Sequence, residues 1–220
     1  MKPTLPPGPA ALWMPPLVCL TAVLAANPPE PKSRRVLIDD FESYTNSTQL
    51  ATIWHRPPHG APLTQTLDPI TKGGGKQGMR IAYATTSDPA THYAPICRVT
   101  KWDLSGCNAA QFWLKPDGSG RQLTFEFNIA NNQGKNIHDL WSTKYVPAKG
   151  DTQPRLVTIP FASLVQNTKH ANSPDVSPIF KPSAVIEVDL YIGARPDAPG
   201  EGVYYLDEIV ALHDPNLPKK

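Results

Sequence analysis

Within Ala110–Ala130, Phe112, Leu114, Leu123, Phe125, Phe127 and Ile129 hold one phase of a period-two pattern, while Gln111, Trp113, Gln122, Thr124, Glu126 and Asn128 hold the other. A plain solvated face would read Lys, Thr and Ser; this one carries an indole, a carboxylate and an amide. Two other segments share the habit. In Ala184–Gly193, Ile186, Val188, Leu190 and Ile192 take the apolar phase and Glu187, Asp189 and Tyr191 the opposite one. In Ile137–Val146, Leu140 and Val146 are read as core, with Asp139, Trp141, Thr143 and Tyr145 facing out. Flat rings beside carboxylates and amides suit a sugar: apolar C–H faces of a pyranose stack on Trp or Tyr, and its hydroxyls need donors and acceptors. The bland reading is a second small core, with loops covering the rings. Two carboxylates flanking a sugar also serve glycoside cleavage, as acid with nucleophile or base, which makes Glu126 and Asp189 a candidate catalytic pair.

Strands must present these residues. The pattern predicts strands over 36–41, 50–54, 63–67, 79–83, 93–99, 110–115, 123–129, 137–146, 156–159, 185–192 and 203–212, separated by Gly-, Pro-, Asn- and Asp-rich turns such as KGGGKQG and KPDGSG. Ala110–Ala130 reads as a hairpin around its Gly-rich turn. No helix-period segment of length appears, although PFASLVQN suits one short helical turn after its Pro. Many short strands at this spacing predict an all-β fold, a two-sheet antiparallel β-sandwich of jelly-roll type. If the three patterned segments are neighbours, their outer faces merge into one surface.

The 220 residues, 40% hydrophobic and 18% charged, suit one domain with a full core, and 26 prolines favour loop-rich β structure. Formal charge is +2 with no basic block, which argues against nucleic acid and anionic membranes as partners. Residues 1–25 read as a signal peptide, with the apolar run LVCLTAVLAA and cleavage near Ala25 or Ala26. Cys19 follows a poor lipoprotein box, so removal of the signal is favoured over lipidation. The chain is therefore expected to be secreted or periplasmic, and monomeric. Residues 26–35 form a Pro-rich tether, 36–213 the sandwich and 214–220 a tail. Cys97 and Cys107 then remain, either as one disulfide or as two buried thiols.

Other chemistries find little support. The Gly73–Lys76 run has no Ser or Thr after its Lys and no helix to follow, so it is read as a hairpin rather than a phosphate loop. The six histidines show no zinc-ligand spacing, and His55 and His59 flank two prolines in an exposed loop. No His stands at the expected cleavage point, and no nucleophile elbow is present.

VLIDDFESY, GMRIAYA, DLSGCNAAQFWLKPDGSGRQLTFEF, LVTIPFASL and VYYLDEIVAL follow one another in that order. The series resembles carbohydrate-binding module family 11, in the galactose-binding-like jelly-roll group. That resemblance implies non-catalytic binding of β-glucan chains in a cleft on the concave sheet. It implies ligand stacking by Tyr83 and Tyr191, to which the alternation adds Trp113, Glu126, Asn128, Trp141, Tyr145 and Asp189. The Arg, Asp and Tyr cluster that the family carries after PFASL is missing; Asn167, Lys169 and His170 stand there instead. The resemblance further implies a structural Ca²⁺ where first and last strands meet, held by Asp39, Asp40, Glu42 and Asp207 with backbone carbonyls from the loop around Gly73 to Gly78; the alternative is four separately solvated acids. The same jelly-roll group includes relatives of complex I intermediate-associated protein 30, which act through protein contacts.

Overall fold

The computed structural model describes residues 34–171, 173–193 and 199–217, all within the compact unit Ser33–Lys220. The expected signal peptide, and the tether up to Ser33, lie outside the described residues. Among those described, no helix is long and apolar enough to cross a membrane.

Among the described residues twelve strands follow one another as β1 (Arg35–Asp39), β2 (Trp54–His55), β3 (Leu63–Asp68), β4 (Gly78–Thr85), β5 (Ala94–Trp102), β6 (Ala109–Lys115), β7 (Leu123–Ala130), β8 (Asn136–Tyr145), β9 (Arg155–Pro160), β10 (Val165–Asn167), β11 (Val185–Ile192) and β12 (Gly200–Leu212). They form two six-stranded sheets. The first runs β3-β4-β12-β6-β9, with β1 pairing the far half of β12 on the edge that β4 leaves free. The second runs β10-β8-β7-β11-β5-β2. Every pairing is antiparallel. The all-β sandwich is as predicted, and its core is a single cluster between the sheets.

The expected hairpin is not one. β6 lies in the first sheet and β7 in the second, so residues 116–122 cross the sandwich, turning through the positive-φ glycines Gly118 and Gly120. The alternation itself holds. Phe112 and Phe125 meet in the core as stacked rings 5.5 Å apart, and Phe127 leads on to Phe161 and Phe180. Period two tells which side of a strand is apolar; it does not tell which strand lies alongside.

The phase expected for β8 is inverted. Register places Trp141 opposite Phe127 and Tyr145 opposite Leu123, on the core side, while Leu140, Ser142 and Lys144 face out and Val146 is exposed. A bulge at the start of the strand, with His138 at φ +53°, sets that phase. The misleading residue is Asp139, which is buried on the core side. Its Oδ1 accepts from Trp141 Nε1 (2.9 Å) and Gln166 Nε2 (2.8 Å), and its Oδ2 accepts from the Ser177 amide (2.6 Å). One carboxylate thus ties the indole to Gln166 and Ser177.

The segment expected as a strand over 50–54 is mostly a helix, α1 (Ser47–Ile53). Asn46 caps it by accepting the Gln49 amide, and Leu50 is its buried residue. The short helical turn expected after Pro160 appears as a 3₁₀ turn over Phe161–Ser163.

Replacing Asp139 by Ala strands three donors, each worth about 1–3 kcal/mol when left unsatisfied in the interior. Urea denaturation of Asp139→Ala is expected to show a loss of at least about 3 kcal/mol, against less than about 1 kcal/mol for Asp151→Ala, whose partner Arg155 is exposed.

Candidate functional site

The outer face of the second sheet is where the polar phase converges. Successive registers align one row across five strands: His55 on β2, Cys97 on β5, Asp189 on β11, Glu126 on β7 and Ser142 on β8. Rows on either side carry Val99, Glu187, Asn128 and Leu140, and Pro95, Tyr191, Thr124 and Lys144. With strands about 4.8 Å apart, such a row runs about 20 Å. Core residues Leu190 and Val188 occupy the opposite phase of β11, and a bulge between Val185 and Glu187 leaves Ile186 only partly buried.

Glu126 and Asp189 are directly opposed, 4% and 6% exposed. Glu126 accepts from the Tyr191 hydroxyl at 3.4 Å. Burial pushes its carboxyl up to about 7, against the pull of hydrogen bonds from Tyr191 and Ser142, and the Glu187 charge adds to the rise. Asp189 rises well above the usual carboxylate range, through burial first and then the charges of Glu187 and Glu126. Asn128 donates to Glu187 Oε2 at 2.8 Å and to Asn136 Oδ1 at 3.1 Å, while its own Oδ1 is buried without a partner. At one end of the face Tyr191 packs on Tyr93, ring centroids 6.0 Å apart, with His59 and His92 against Tyr93.

Of the eight residues expected on one platform, four are there: Glu126, Asn128, Asp189 and Tyr191. Trp113 belongs to the first sheet and points out of its far side, where the 72–77 loop lies so close that a Cβ on Gly73 would come within 2.6 Å of the indole. Tyr83 is a core residue, 3% exposed, stacked on Tyr204 at 5.9 Å with its hydroxyl donating to Asp117. Trp141 and Tyr145 face inward with their strand. Cys97 was read as half of a disulfide and His55 as a loop residue, and Ser142 and Tyr93 were not singled out, because only the strand register brings them to the same face; Glu187 shared the phase of Asp189 and was the one legible omission.

The two thiols are free rather than bridged. Cys97 faces out from the second sheet beside Asp189, whereas Cys107 is in the core cluster, so the backbone of that sheet separates them.

No protein-family model and no curated protein matches the chain. Solved structures do. The family 11 carbohydrate-binding module of Clostridium thermocellum, in complex with a β-1,3-1,4-mixed-linked tetrasaccharide, aligns with a TM-score of 0.61 at 18% identity, over 81% of this chain and 95% of its own. The family 11 module of the cellulosomal cellulase Lic26A-Cel5E from the same organism gives 0.62 at 18%, over 82% and 95%. This chain has the family 11 module fold. A family 30 carbohydrate-binding module aligns at 0.50 and 16% identity, over 71% and 91%.

On this family 11 fold the four acids expected around calcium do not gather. Asp39 points into the sandwich and is paired with Arg98; Tyr44 (2.5 Å), Trp54 Nε1 (2.6 Å) and the Phe41 amide (2.8 Å) donate to it as well. Asp207 stands opposite Trp113, on the other side of the same sheet, and accepts from the amides of Gly73 (2.8 Å), Gly74 (3.0 Å) and Glu208 (2.8 Å). Glu42 accepts from the Lys76 and Gln77 amides of that loop, and Asp40 only from the Glu42 amide. Asp39, met by a guanidinium and neighbouring donors, and Asp207, met by backbone N–H groups, stand on opposite faces of the sheet, so these two acids do not share one calcium ion. Excess EDTA is expected to shift the melting temperature by less than about 2 °C, on a scale where 1 kcal/mol moves a domain of this size by about 2–4 °C; a larger loss, reversed by added Ca²⁺, would restore the ion.

Glu126 holds its proton more tightly in the folded chain than in the unfolded one, where the carboxyl sits near 4.5. The stability this contributes is present at low pH and is lost as the pH rises from about 4.5 through about 7. In EDTA-containing buffers, Glu126→Gln is expected to flatten the fall in melting temperature between pH 5 and 7.5 seen with the native protein. Parallel profiles would count against the raised value.

Proposed function

We propose that this chain is an exported carbohydrate-binding module, non-catalytic, whose glycan lies along the outer face of the second sheet. The observation that carries the reading is the set of polar groups there with hydrogen-bonding capacity left over: Asp189, which takes no hydrogen bond among the described residues, and the unpartnered Oδ1 of Asn128. Sugar hydroxyls would supply the missing donors, and Tyr191 with Tyr93 offers ring surface at one end for stacking. The shared fold with modules that bind glycans supports the same reading. A β-glucan chain is the favoured ligand, by analogy with the mixed-linked tetrasaccharide bound to the solved family 11 module. Export rests on residues 1–25 and would be read from the mass of the secreted protein, with cleavage expected near Ala25 or Ala26.

A second reading has its own observation. Glu126 and Asp189 are directly opposed on neighbouring strands, where facing Cβ atoms lie about 4.5–5.5 Å apart. Retaining glycosidases hold their two carboxyls about 5–5.5 Å apart. Glycoside hydrolysis by this pair is therefore the alternative.

Affinity electrophoresis through mixed-linkage β-glucan, xyloglucan, xylan, glucomannan and pectin, with reducing ends assayed on the same samples, separates the readings. Retardation by β-glucan without product is expected. Tyr191→Ala and Asn128→Ala should each weaken it at least about ten-fold, or about 1.4 kcal/mol, whereas Trp113→Ala, on the other sheet, should leave it unchanged. Sugar release abolished by Glu126→Gln would establish the hydrolase. Neither retardation nor release across the panel would end the carbohydrate reading.

A further inference from the structure

The middle of the same face holds more than hydrogen-bonding groups. The Cys97 thiol and one carboxylate oxygen each from Glu187 and Asp189 lie within 4.8 Å of one another. The His55 ring lies outside that group of three but meets its sulfur from the edge strand, Nε2 3.1 Å from Cys97 Sγ. We infer that Cys97, His55, Asp189 and Glu187 form a binding site for a divalent transition metal of the zinc class.

The donor types favour this ion over the alternatives. Sulfur and imidazole nitrogen are poor ligands for Ca²⁺ or Mg²⁺, whereas thiolate, imidazole and carboxylate together suit Zn²⁺. A tetrahedral zinc with bonds of about 2.0 Å to nitrogen and 2.3 Å to sulfur sets those two atoms about 3.5 Å apart, close to the separation observed. Asp189 supplies an independent observation: it is 6% exposed, no group among the described residues donates a hydrogen bond to it, and Glu126 stands directly opposite. None of the ion pairs among the described residues reaches this cluster, and Arg98 on the neighbouring strand turns through to Asp39. Asn128 holds Glu187 Oε2 in place, as a positioning residue does for a metal ligand. His55 is exposed and leaves a path for entry.

The site does not depend on the glycan reading, and its test contains no sugar. Metal-free, reduced protein is titrated with Co²⁺ and then with Zn²⁺. One equivalent of Co²⁺ is expected to give the visible absorption of a tetrahedral site and a near-ultraviolet thiolate-to-cobalt band, both bleached by Zn²⁺. Cys97→Ser should remove the thiolate band. His55→Ala, at an exposed position that does not risk the fold, should weaken binding at least about ten-fold, the low end of what even an outer-shell change costs a metal site. Cys107→Ser should change neither. The inference is overturned if Co²⁺ at millimolar concentration leaves the spectrum unchanged, if the thiolate band survives Cys97→Ser, or if His55→Ala binds as tightly as the native protein.

Discussion

Phe112 and Phe125 lie face to face, 7° from parallel, and each belongs to a different sheet. That contact sets the phase of the two strands at the centre of the sandwich. Once Phe112 faces inward from β6, Trp113 must face outward on the far side; once Phe125 faces inward from β7, Glu126 must face outward on the near side. Residues thirteen apart in the chain thus end on opposite surfaces of the domain. The rings of Phe127 and Phe161, with the partly buried Phe180, extend the contact along the second sheet. Aromatic pairs of this kind add about 0.5–1.5 kcal/mol each beyond the area they bury.

The sandwich, most of its strands and the inward phase of β6, β7 and β11 were legible, because alternation and turn residues are local signals. Partnership was not. A chain that doubles back as a hairpin and one that crosses to a facing sheet show the same alternation, and Gly118 and Gly120 serve either path. The phase of β8 was hidden by a buried acid: Asp139 looks solvent-facing until Gln166 and Ser177, far along the chain, are seen to donate to it. The helix Ser47–Ile53 was missed because it buries only Leu50 and shows no apolar stripe. In the candidate site, Glu126, Asn128, Asp189 and Tyr191 were read from alternation alone. His55 and Cys97 stand 42 positions apart and meet only because β2 pairs with β5.

The outer face of the second sheet departs from what stability alone would select. Three acids without a basic partner, a thiol beside them and an amide oxygen without a donor would each be improved by a plain Thr or Val. Elsewhere the protein is careful with buried charge: Asp39 takes Arg98 and three further donors, and Asp139 and Asp207 take three donors each. Local rules are broken at this face and kept at Asp39, Asp139 and Asp207, the pattern expected where function rather than stability selects the residues.

The order of strands along the chain carries a kinetic consequence. β12 holds the first sheet together, for without it β3-β4 and β6-β9 are separate pairs and β1 has no partner. β11 does the same for the second sheet, joining β2-β5 to β7-β8-β10. Both linking strands come after everything they link. Neither sheet can therefore be completed before β11 and β12 dock, through contacts of high sequence separation that close slowly.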